Sequence, residues 1–307
     1  MDFKSKIILI YGPTASGKSK FALNLAKLVK GEIINADSMQ VYKEISILTS
    51  RPSKKDIKQI KHHLYGFISV KKHFSAGKWL KLVKKKIQQI YSKNKIPIIV
   101  GGSGLYFNTI TKGISAIPSI KKKDRNDTVK LYKRLGQKKF YSKLIQFDPL
   151  VKNKILPSDR QRVIRAYEVI KVTKKSIYEW AKSTKSEFTN YDIKKIFLNI
   201  PRDVLLKNIE KRANDMISRH TIREVKHFQK LKIKKSLSAN KIIGLNEINK
   251  FIDQKETLNN TKIHIIIKTR QYAKRQMTWS RGHMVNWNML YNRDLSILLK
   301  KVLKVIS

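Results

Sequence analysis

The hydrophobic positions in the first third of the chain follow the pattern of a parallel α/β sheet. Three short apolar runs predict strands that are buried on both faces: residues 7–11, 32–36 and 96–100. After the first run, helical spacing places Phe21, Leu25 and Leu28 on one side of a predicted helix. Ser75 is the predicted N-cap of another helix, which runs to about Ser92. This alternation predicts an α/β fold with helices on both faces of the sheet.

The pattern changes after about Ile117. Residues 121–195 carry helix-like segments, many charges and little strand signal, so we expect an inserted helical domain there. The apolar run 196–200 restores the strand pattern, and the core domain is therefore expected to comprise 1–120 and 196–307. Three further segments are interpreted as one or two basic helices, a strand and a basic helix: residues 202–234, 262–268 and 269–281.

The composition indicates a folded protein with an unusual charge. Hydrophobic residues make up 41% of the 307 positions, which is enough for a full core. Lys and Arg total 68 against 21 Asp and Glu, a formal net charge of +47, and a polyanion such as nucleic acid would screen that repulsion. A biased nucleotide composition, which also enriches Lys, Ile and Asn, is the alternative explanation of the same excess.

Two absences exclude several classes of protein. The sequence has no cysteine, which excludes disulfides, cysteine-ligated zinc, iron–sulfur clusters and cysteine nucleophiles. The first apolar run is too short for a signal peptide, and no stretch of about 18 apolar residues predicts a transmembrane helix. We therefore expect a cytoplasmic protein with no membrane partner.

The strongest local motif is GPTASGKS at residues 12–19, which lies between a predicted strand and a predicted helix. Its glycines let backbone N–H groups turn around phosphate oxygens, and the helix N-terminus adds positive potential. Lys18 would contact the terminal phosphate, and the hydroxyl of Ser19 can ligate Mg²⁺. The motif predicts a site for a di- or triphosphate rather than a structural turn, and it does not identify the compound.

A second motif, NADSMQVY, follows the second predicted strand. The carboxyl ends of parallel strands face the ligand crevice, so Asp37 is expected opposite the phosphate loop. A carboxylate there could hold Mg²⁺ or act as a general base, whereas the alternative is that Asp37 and Ser38 only cap a turn. Gln40 could read the edge of an adenine through its amide.

A third motif, GGSGLY at residues 101–106, again comes directly after a predicted strand. Its small residues permit close approach of a ligand, and the hydroxyl of Ser103 could donate a hydrogen bond to it. The alternative is a glycine-rich turn with a structural role only.

Two basic segments complete the set. DRQRVIRAYEV at 159–169 carries Arg160, Arg162 and Arg165 within two turns, and a solvated basic face is the alternative to a binding role. In TRQYAKRQMTWSR at 269–281, basic residues alternate with aromatic ones, which suits phosphate contact plus base stacking. A packing role for Trp279 is equally compatible with this sequence.

In this order, the five motifs closely resemble those of the bacterial tRNA dimethylallyltransferase family, over about residues 7–281. The segments HHLYGF at 62–67 and PRDVLLKNIEKRANDM at 201–216 resemble it too. The resemblance implies an enzyme that moves a dimethylallyl group from dimethylallyl diphosphate to N6 of the adenosine 3′ to the anticodon, position 37. The tRNAs concerned read codons that start with U, and diphosphate is released. It also implies a P-loop core with an inserted helical domain, and the anticodon stem-loop as partner. We further expect Mg²⁺ as cofactor and a monomeric state.

The resemblance also assigns roles to residues. Asp37 matches the general base, Ser103 stands where a catalytic Thr is usual, and Arg212 falls where an Arg lies near the leaving group. The segment expected to bind the diphosphate or a nucleotide consists of Gly12, Pro13, Thr14, Ala15, Ser16, Gly17, Lys18 and Ser19. The tRNA-contacting segments consist of Asp37, Ser38, Met39, Gln40, Asp159, Arg160, Gln161, Arg162 and Val163, to which the basic–aromatic segment adds Arg270 and Arg275.

Several positions depart from the family pattern. Gly66 replaces a usual Asp, Lys174 a usual Gly, and Leu245 a usual Tyr, while Arg219 and His220 stand where Gly and an apolar residue are common. Two other kinds of protein could contain the same phosphate loop. One is a small-molecule P-loop kinase or nucleotide hydrolase, which does not explain the basic segments, and the other is a non-catalytic basic RNA-binding protein.

Overall fold

The computed structural model describes residues 5–291 and 294–306, and the chain divides into two compact units. The first comprises the residues up to 109 and those from 188 onwards, and the second comprises residues 110–187. The second unit thus begins before residue 121 and ends before residue 195, the limits expected from the sequence pattern.

A six-stranded parallel sheet forms the centre of the first unit. Its strands are β1 (Lys6–Tyr11), β2 (Gly31–Asn35), β3 (His62–His63), β4 (Ile96–Gly101), β5 (Asp192–Asn199) and β6 (Asn288–Tyr291). The spatial order is β3-β2-β4-β1-β5-β6, and every neighbouring pair is parallel. In the central register, Ile10 lies between Val100 and Ile196. Because the strands run in one direction, their carboxyl ends meet at one edge of the sheet.

Four helices of the first unit alternate with the strands β1 to β4 along the chain. They are α1 (Lys18–Leu28), α2 (Lys54–Gln59), α3 (Ala76–Tyr91) and α4 (Gly104–Thr111), which extends two residues into the second unit. The second unit contains α5 (Lys122–Phe147), α6 (Arg160–Thr173) and α7 (Ile177–Lys182). After it come α8 (Arg202–Met216), α9 (Arg219–Lys230), α10 (Leu245–Ile252), α11 (Leu258–His283) and α12 (Leu295–Ile306). In the part of the chain that the structure describes, no helix is long and apolar enough to cross a membrane.

The core of the first unit confirms the main hydrophobic pattern. All six residues of β1 and of β4 are buried, and Phe21 and Leu25 of α1 pack against them. Ser75 caps α3 as predicted, since its side chain accepts the backbone N–H of Lys78. The prediction was wrong for Leu28, whose side chain is 59% exposed at the last turn of α1.

The segment 262–268 is helical, which corrects the predicted strand. It lies within α11, whose N-cap Thr257 accepts the backbone N–H of Asn260 at 3.2 Å. Thr261 and Ile265 are buried four residues apart on one helix face, whereas Ile263 is 44% exposed. A short run of isoleucines is compatible with the periodicity of a strand and with that of a helix. The Thr257 cap and the burial of residues four positions apart favour the helix.

Regular structure in the second unit is helical throughout residues 110–187. Gly136, with φ 71°, breaks α5 into two helical halves. The core between α5 and α6 includes Phe140, Leu144 and Tyr167. Lys174 ends α6 in the left-handed conformation, with φ 57°, a backbone geometry that favours glycine.

Candidate active site at the carboxyl edge of the sheet

The motif 12–19 forms a phosphate-binding loop between β1 and α1. Ala15 and Gly17 have positive φ angles of 64° and 80°, which curl the backbone before the helix starts at Lys18. A Cβ on Gly12 would lie 2.9 Å from the carbonyl oxygen of Leu198, so the strand end has room only for glycine there. The hydroxyl of Ser16 is buried and has no hydrogen-bond partner in the described part of the chain. This curled backbone at a helix N-terminus is an anion-binding site.

Helix α8 supports the phosphate loop from outside. Asn208 donates from Nδ2 to the carbonyl of Ala15 at 3.1 Å, and Arg212 donates from Nη1 to Oγ1 of Thr14 at 3.0 Å. The two side chains are four residues apart and thus lie on one face of the helix. Burial lowers the pKa of Arg212, against the raising effect of the nearby Asp37 charge. The motifs gave no signal for Asn208 apart from this spacing from Arg212.

Lys18 is the second cation at the loop. Its Nζ donates to the carbonyl of Pro13 at 3.1 Å. Burial lowers the pKa of Lys18 to about 8, while the charge of Asp37 opposes this shift and that of Arg212 adds to it. Lys18, Arg212 and Asp37 therefore interact electrostatically beside the phosphate loop.

Asp37 follows β2 at the same edge of the sheet. Its backbone N–H is fixed by Oδ1 of Asn35 at 2.8 Å, and its own Oδ1 accepts the N–H of Met39 at 2.9 Å. Burial raises the pKa of Tyr272 on α11, and the charge of Asp37 raises it further. The structure thus brings Asp37, the predicted general base, together with Lys18, Arg212 and Tyr272.

Ser103 is directed towards the loop that carries Asp37. Its Oγ accepts the backbone N–H of Ser38 at 2.9 Å and donates to the hydroxyl of Ser38 at 3.2 Å. Its backbone N–H donates to the carbonyl of Ala36 at 3.2 Å. Ser103 therefore ties the loops after β2 and β4 together, next to the predicted general base.

The glycines around Ser103 make room for protein neighbours. A Cβ on Gly101 would lie 2.1 Å from the carbonyl oxygen of Ala36, and one on Gly102 would lie 2.2 Å from Nε2 of Gln276. A Cβ on Gly104 would meet the ring of Trp279 at 2.3 Å. The structural explanation of this glycine-rich turn therefore accounts for all three glycines, and the functional contribution of the motif rests on Ser103.

Two cavities meet at Asp37. The first, of about 980 Å³, is lined by the phosphate loop with Lys18, Ser19 and Arg212 and by Gln40. The second, of about 290 Å³, shares Asp37, Thr14 and Arg212 with the first, and apolar side chains such as Ile209, Ile242 and Ile265 form much of the remainder. A polar chamber for phosphates and a smaller, more apolar chamber thus have the carboxylate in common.

Ser19 is the residue of the loop suited to a metal ion. Its hydroxyl is exposed at the start of α1 and lines the large cavity. Among the described residues no group of three or more His, Cys, Asp and Glu side chains could hold a metal. A cation at this loop would therefore depend mainly on the oxygens of a bound phosphate compound.

The segment 269–281 supplies both surface cations and internal supports. Arg270 is exposed and forms an ion pair with Glu210, while the guanidinium of Arg275 lies 5.8 Å from the ring centre of Tyr272. Trp279 packs over Gly104 and stacks on His283, with ring centres 4.2 Å apart. For Trp279 the structure supports the packing alternative.

The segment 159–163 lies in the second unit, at the start of α6. Asp159 caps the helix by accepting the N–H of Arg162 at 3.1 Å. Arg160, Gln161 and Arg162 are exposed, and the guanidinium of Arg160 lies over the ring of Tyr132. Val163 is fully buried, so its side chain packs in the core of the unit.

Proteins of known family are similar to this chain over nearly its whole length. The family model for IPP transferase matches residues 40–283. A tRNA dimethylallyltransferase of Pelagibacter ubique is 51% identical over 304 residues, which cover 99% of this chain and 97% of the relative. The chain belongs to the tRNA dimethylallyltransferase family. Another member, from Rickettsia conorii, is 38% identical over 307 residues, covering 99% of this chain and 85% of the relative.

Solved structures confirm the fold. A tRNA isopentenylpyrophosphate transferase from Bacillus halodurans superimposes with a TM-score of 0.70 at 30% identity, covering 99% of this chain and 96% of that one. A eukaryotic dimethylallyltransferase described as acting on tRNA gives a TM-score of 0.82 at 27% identity, covering 95% and 75%. The predicted family and the predicted α/β fold are thus confirmed. The small-molecule kinase or hydrolase is not supported, because the relatives are dimethylallyltransferases over nearly the whole chain.

Proposed function

We propose that this protein transfers a dimethylallyl group from dimethylallyl diphosphate to N6 of the adenosine 3′ to the anticodon in tRNA. The tRNAs would be those that read codons starting with U, and the second product would be diphosphate. The observation that carries the proposal is the position of Asp37, which lines both cavities and interacts with the two cations of the phosphate loop. Membership of the tRNA dimethylallyltransferase family supplies the identity of the transferred group.

The leaving group would bind at the phosphate loop, residues 12–19. As the bond between C1 and the bridging oxygen breaks, negative charge grows on the diphosphate and cationic character on the allylic carbon. Backbone amides of the loop, Lys18 and Arg212 would stabilise the negative charge. The buried hydroxyl of Ser16, which has no partner among the described side chains, offers a further hydrogen bond to a phosphate oxygen.

The nucleophile needs help because its lone pair is conjugated with the adenine ring. We assign to Asp37 the role of orienting the N6 amine and accepting its proton as the N–C1 bond forms. Since Met39 occupies Oδ1, we assign Oδ2 to the amine. Ser103 would keep the Asp37 loop in place by accepting the N–H of Ser38, and its hydroxyl could turn from the Ser38 hydroxyl to hydrogen-bond the bridging oxygen.

The adenosine must leave its stack in the anticodon loop to reach this site, at a cost of a few kcal/mol. Gln40 donates from Nε2 to the carbonyls of Thr49 and Ser50, at 2.8 and 3.0 Å, so the adenine edge would be read through its Oε1. We propose that Arg275, the exposed Arg270 and the exposed side chains of 160–162 contact the tRNA backbone. The net charge of +47 would then add non-specific, salt-sensitive affinity for RNA.

A divalent cation fits the donor set of this site. Mg²⁺ prefers hard oxygen ligands and keeps several waters, and Ser19 presents one hydroxyl beside the expected phosphate oxygens. When bound, it would neutralise part of the diphosphate charge. Mg²⁺, the cytoplasmic location and the monomeric state stay predictions.

Transfer assays test the proposal. Labelled dimethylallyl diphosphate and labelled ATP are each incubated with the protein and bulk tRNA, and we expect label in tRNA from the first donor only. Release of phosphate without prenylated tRNA would support a kinase or hydrolase instead, and tRNA binding without turnover would support a non-catalytic RNA-binding protein.

The variant Asp37→Ala tests the assigned base. It is expected to abolish transfer and to retain tRNA binding, because the carboxylate acts on the amine rather than on the phosphate backbone. Asp253→Ala, which removes an exposed carboxylate at the end of α10, away from both cavities, is the matched control and should retain turnover. Near-normal turnover of the Asp37 variant would contradict the assignment.

A further inference from the structure

The amide of Gln276 joins two loops of the candidate active site. It extends from α11 and is 5% exposed. Its Oε1 accepts the backbone N–H of Thr14 at 2.8 Å, and its Nε2 donates to the carbonyl of Gly102 at 2.8 Å. One end of the amide is thus bound to the phosphate loop, and the other end to the loop that carries Ser103.

The position of this amide is fixed by its surroundings. The backbone carbonyl of Gln276 accepts the hydroxyl of Tyr11 at 2.9 Å, at the end of β1. The absence of a side chain at Gly102 makes the space that Nε2 occupies, because a Cβ there would approach Nε2 to 2.2 Å. The bridge is therefore built into the sheet edge and does not depend on a flexible surface contact.

Each loop carries one half of the proposed chemistry. On the phosphate loop, Thr14 is also held through its side chain by Arg212, at 3.0 Å. On the other loop, Ser103 follows Gly102 and holds the N–H of Ser38, the residue after Asp37, at 2.9 Å. Gln276 thus lies in the series of contacts that connects the leaving-group side to the general-base side.

We propose that Gln276 is a positioning residue for the transfer, which sets the distance between the phosphate loop and the loop of Ser103 and Asp37. The inference rests on the proposed function. Gln276 acts through Thr14 and Gly102 and touches neither substrate. A misplacement of about 1 Å between reacting groups can cost on the order of 10²-fold in rate. Loss of the bridge should therefore lower kcat, while KM for each substrate changes little, because the diphosphate is bound at the phosphate loop and most of the proposed tRNA contacts lie outside both loops.

Two substitutions separate the two bonds. Gln276→Met keeps the length of the side chain and removes both hydrogen bonds. Gln276→Glu retains an acceptor for Thr14, but the ionised carboxylate repels the carbonyl of Gly102, whereas the protonated acid can donate to it. Activity of the Glu variant should therefore recover as the pH falls, and that of the Met variant should not.

The charged groups around this position affect where the recovery occurs. Lys18 and Arg212, both bound to the phosphate loop, favour the ionised form of the introduced acid. Asp37 on the neighbouring loop and the burial of the site favour the protonated form. The test therefore measures the change in activity of Gln276→Glu between two pH values and does not depend on the pH at which half of the activity is recovered.

The test measures kcat, KM for dimethylallyl diphosphate and for tRNA, and the melting temperature, at about pH 6 and about pH 8. Gln88→Met and Gln88→Glu, on the exposed face of α3, are matched controls and should behave like the wild type. For Gln276→Met we expect kcat about 10- to 100-fold lower, with both KM values within about threefold. For Gln276→Glu we expect a similar loss at the higher pH and a gain relative to Gln276→Met at the lower pH.

Specific outcomes would overturn the inference. A kcat of Gln276→Met within about twofold of wild type, or a loss confined to KM, would contradict a positioning role. So would a Glu variant whose activity ratio to wild type does not change with pH. If Gln276→Met lacks a cooperative melting transition, the test rests on Gln276→Glu alone. Its activity at the two pH values is then compared with that of Gln88→Glu. Absence of transfer by the wild type would instead refute the proposed function.

Discussion

The carboxylate of Glu224 on α9 anchors a loop that forms one wall of the large cavity. It accepts hydrogen bonds from the backbone N–H of Ser46, Ile47 and Leu48, at 2.5, 2.9 and 3.1 Å, and from the hydroxyl of Ser46 at 2.9 Å. The next three residues, Thr49 to Arg51, line the cavity. Replacing Glu224 by Ala should therefore destabilise the fold and loosen this wall.

The magnitude follows from the number of donors left without an acceptor. Three backbone N–H groups and one hydroxyl lose their partner, at about 1 kcal/mol each for half-buried groups, so we expect a loss of about 2–4 kcal/mol. In a unit of this size that lowers the melting temperature by roughly 5–15 °C. Glu224→Gln should lose about half as much, because its amide keeps one acceptor but directs a donor at an N–H group.

Thermal unfolding followed by circular dichroism measures the effect, and hydrogen exchange of residues 46–48 locates it. Glu210→Ala is the control, since Glu210 forms an exposed ion pair with Arg270 that contributes at most about 1 kcal/mol. A melting temperature of Glu224→Ala equal to that of Glu210→Ala would show that the Glu224 carboxylate does not anchor the loop.

Two further predictions concern stability. Lys174→Gly should stabilise the second unit by about 1 kcal/mol, because Lys174 has a left-handed φ of 57° at the end of α6. Lys171→Gly, inside that helix, should destabilise the unit by a similar amount. Urea unfolding measures both free-energy changes. Burial lowers the pKa of His63, and its 2.7 Å contact with Glu32 does not fully offset this. The unfolded state therefore binds more protons on His63, so the free energy of unfolding should fall as pH drops below about 6.5. His63→Gln should flatten that part of the stability–pH curve. An unchanged slope in this variant would contradict the role given to His63.

The local parts of the site could be predicted from the sequence. The phosphate loop needs one continuous segment, and its glycines and Lys18 are adjacent in the chain. The position of Asp37 could be predicted because it directly follows a strand, and the carboxyl ends of strands that run in the same direction lie at one edge of the sheet. These predictions depend on the backbone of neighbouring residues, and the sequence carries that information directly.

Contacts between distant segments were not predictable in this way. Gln276 is 262 positions from Thr14 and 174 from Gly102, and its spacing within a basic helix gives no sign of either partner. Likewise, the glycines at 101, 102 and 104 suggested room for a ligand, whereas the backbone of Ala36, the amide of Gln276 and the ring of Trp279 fill that room. Tertiary packing determines these roles, and the residues that fill the space are far away in the chain.

Nucleoside mass spectrometry detects the product of the proposed transfer in tRNA itself. tRNA from cells that lack dimethylallyltransferase activity is digested and analysed with and without expression of this protein. We expect N6-dimethylallyl adenosine, mapped 3′ to the anticodon, to appear with the wild type and to be absent with Asp37→Ala. Unmodified adenosine at that position in the presence of folded wild-type protein would contradict it.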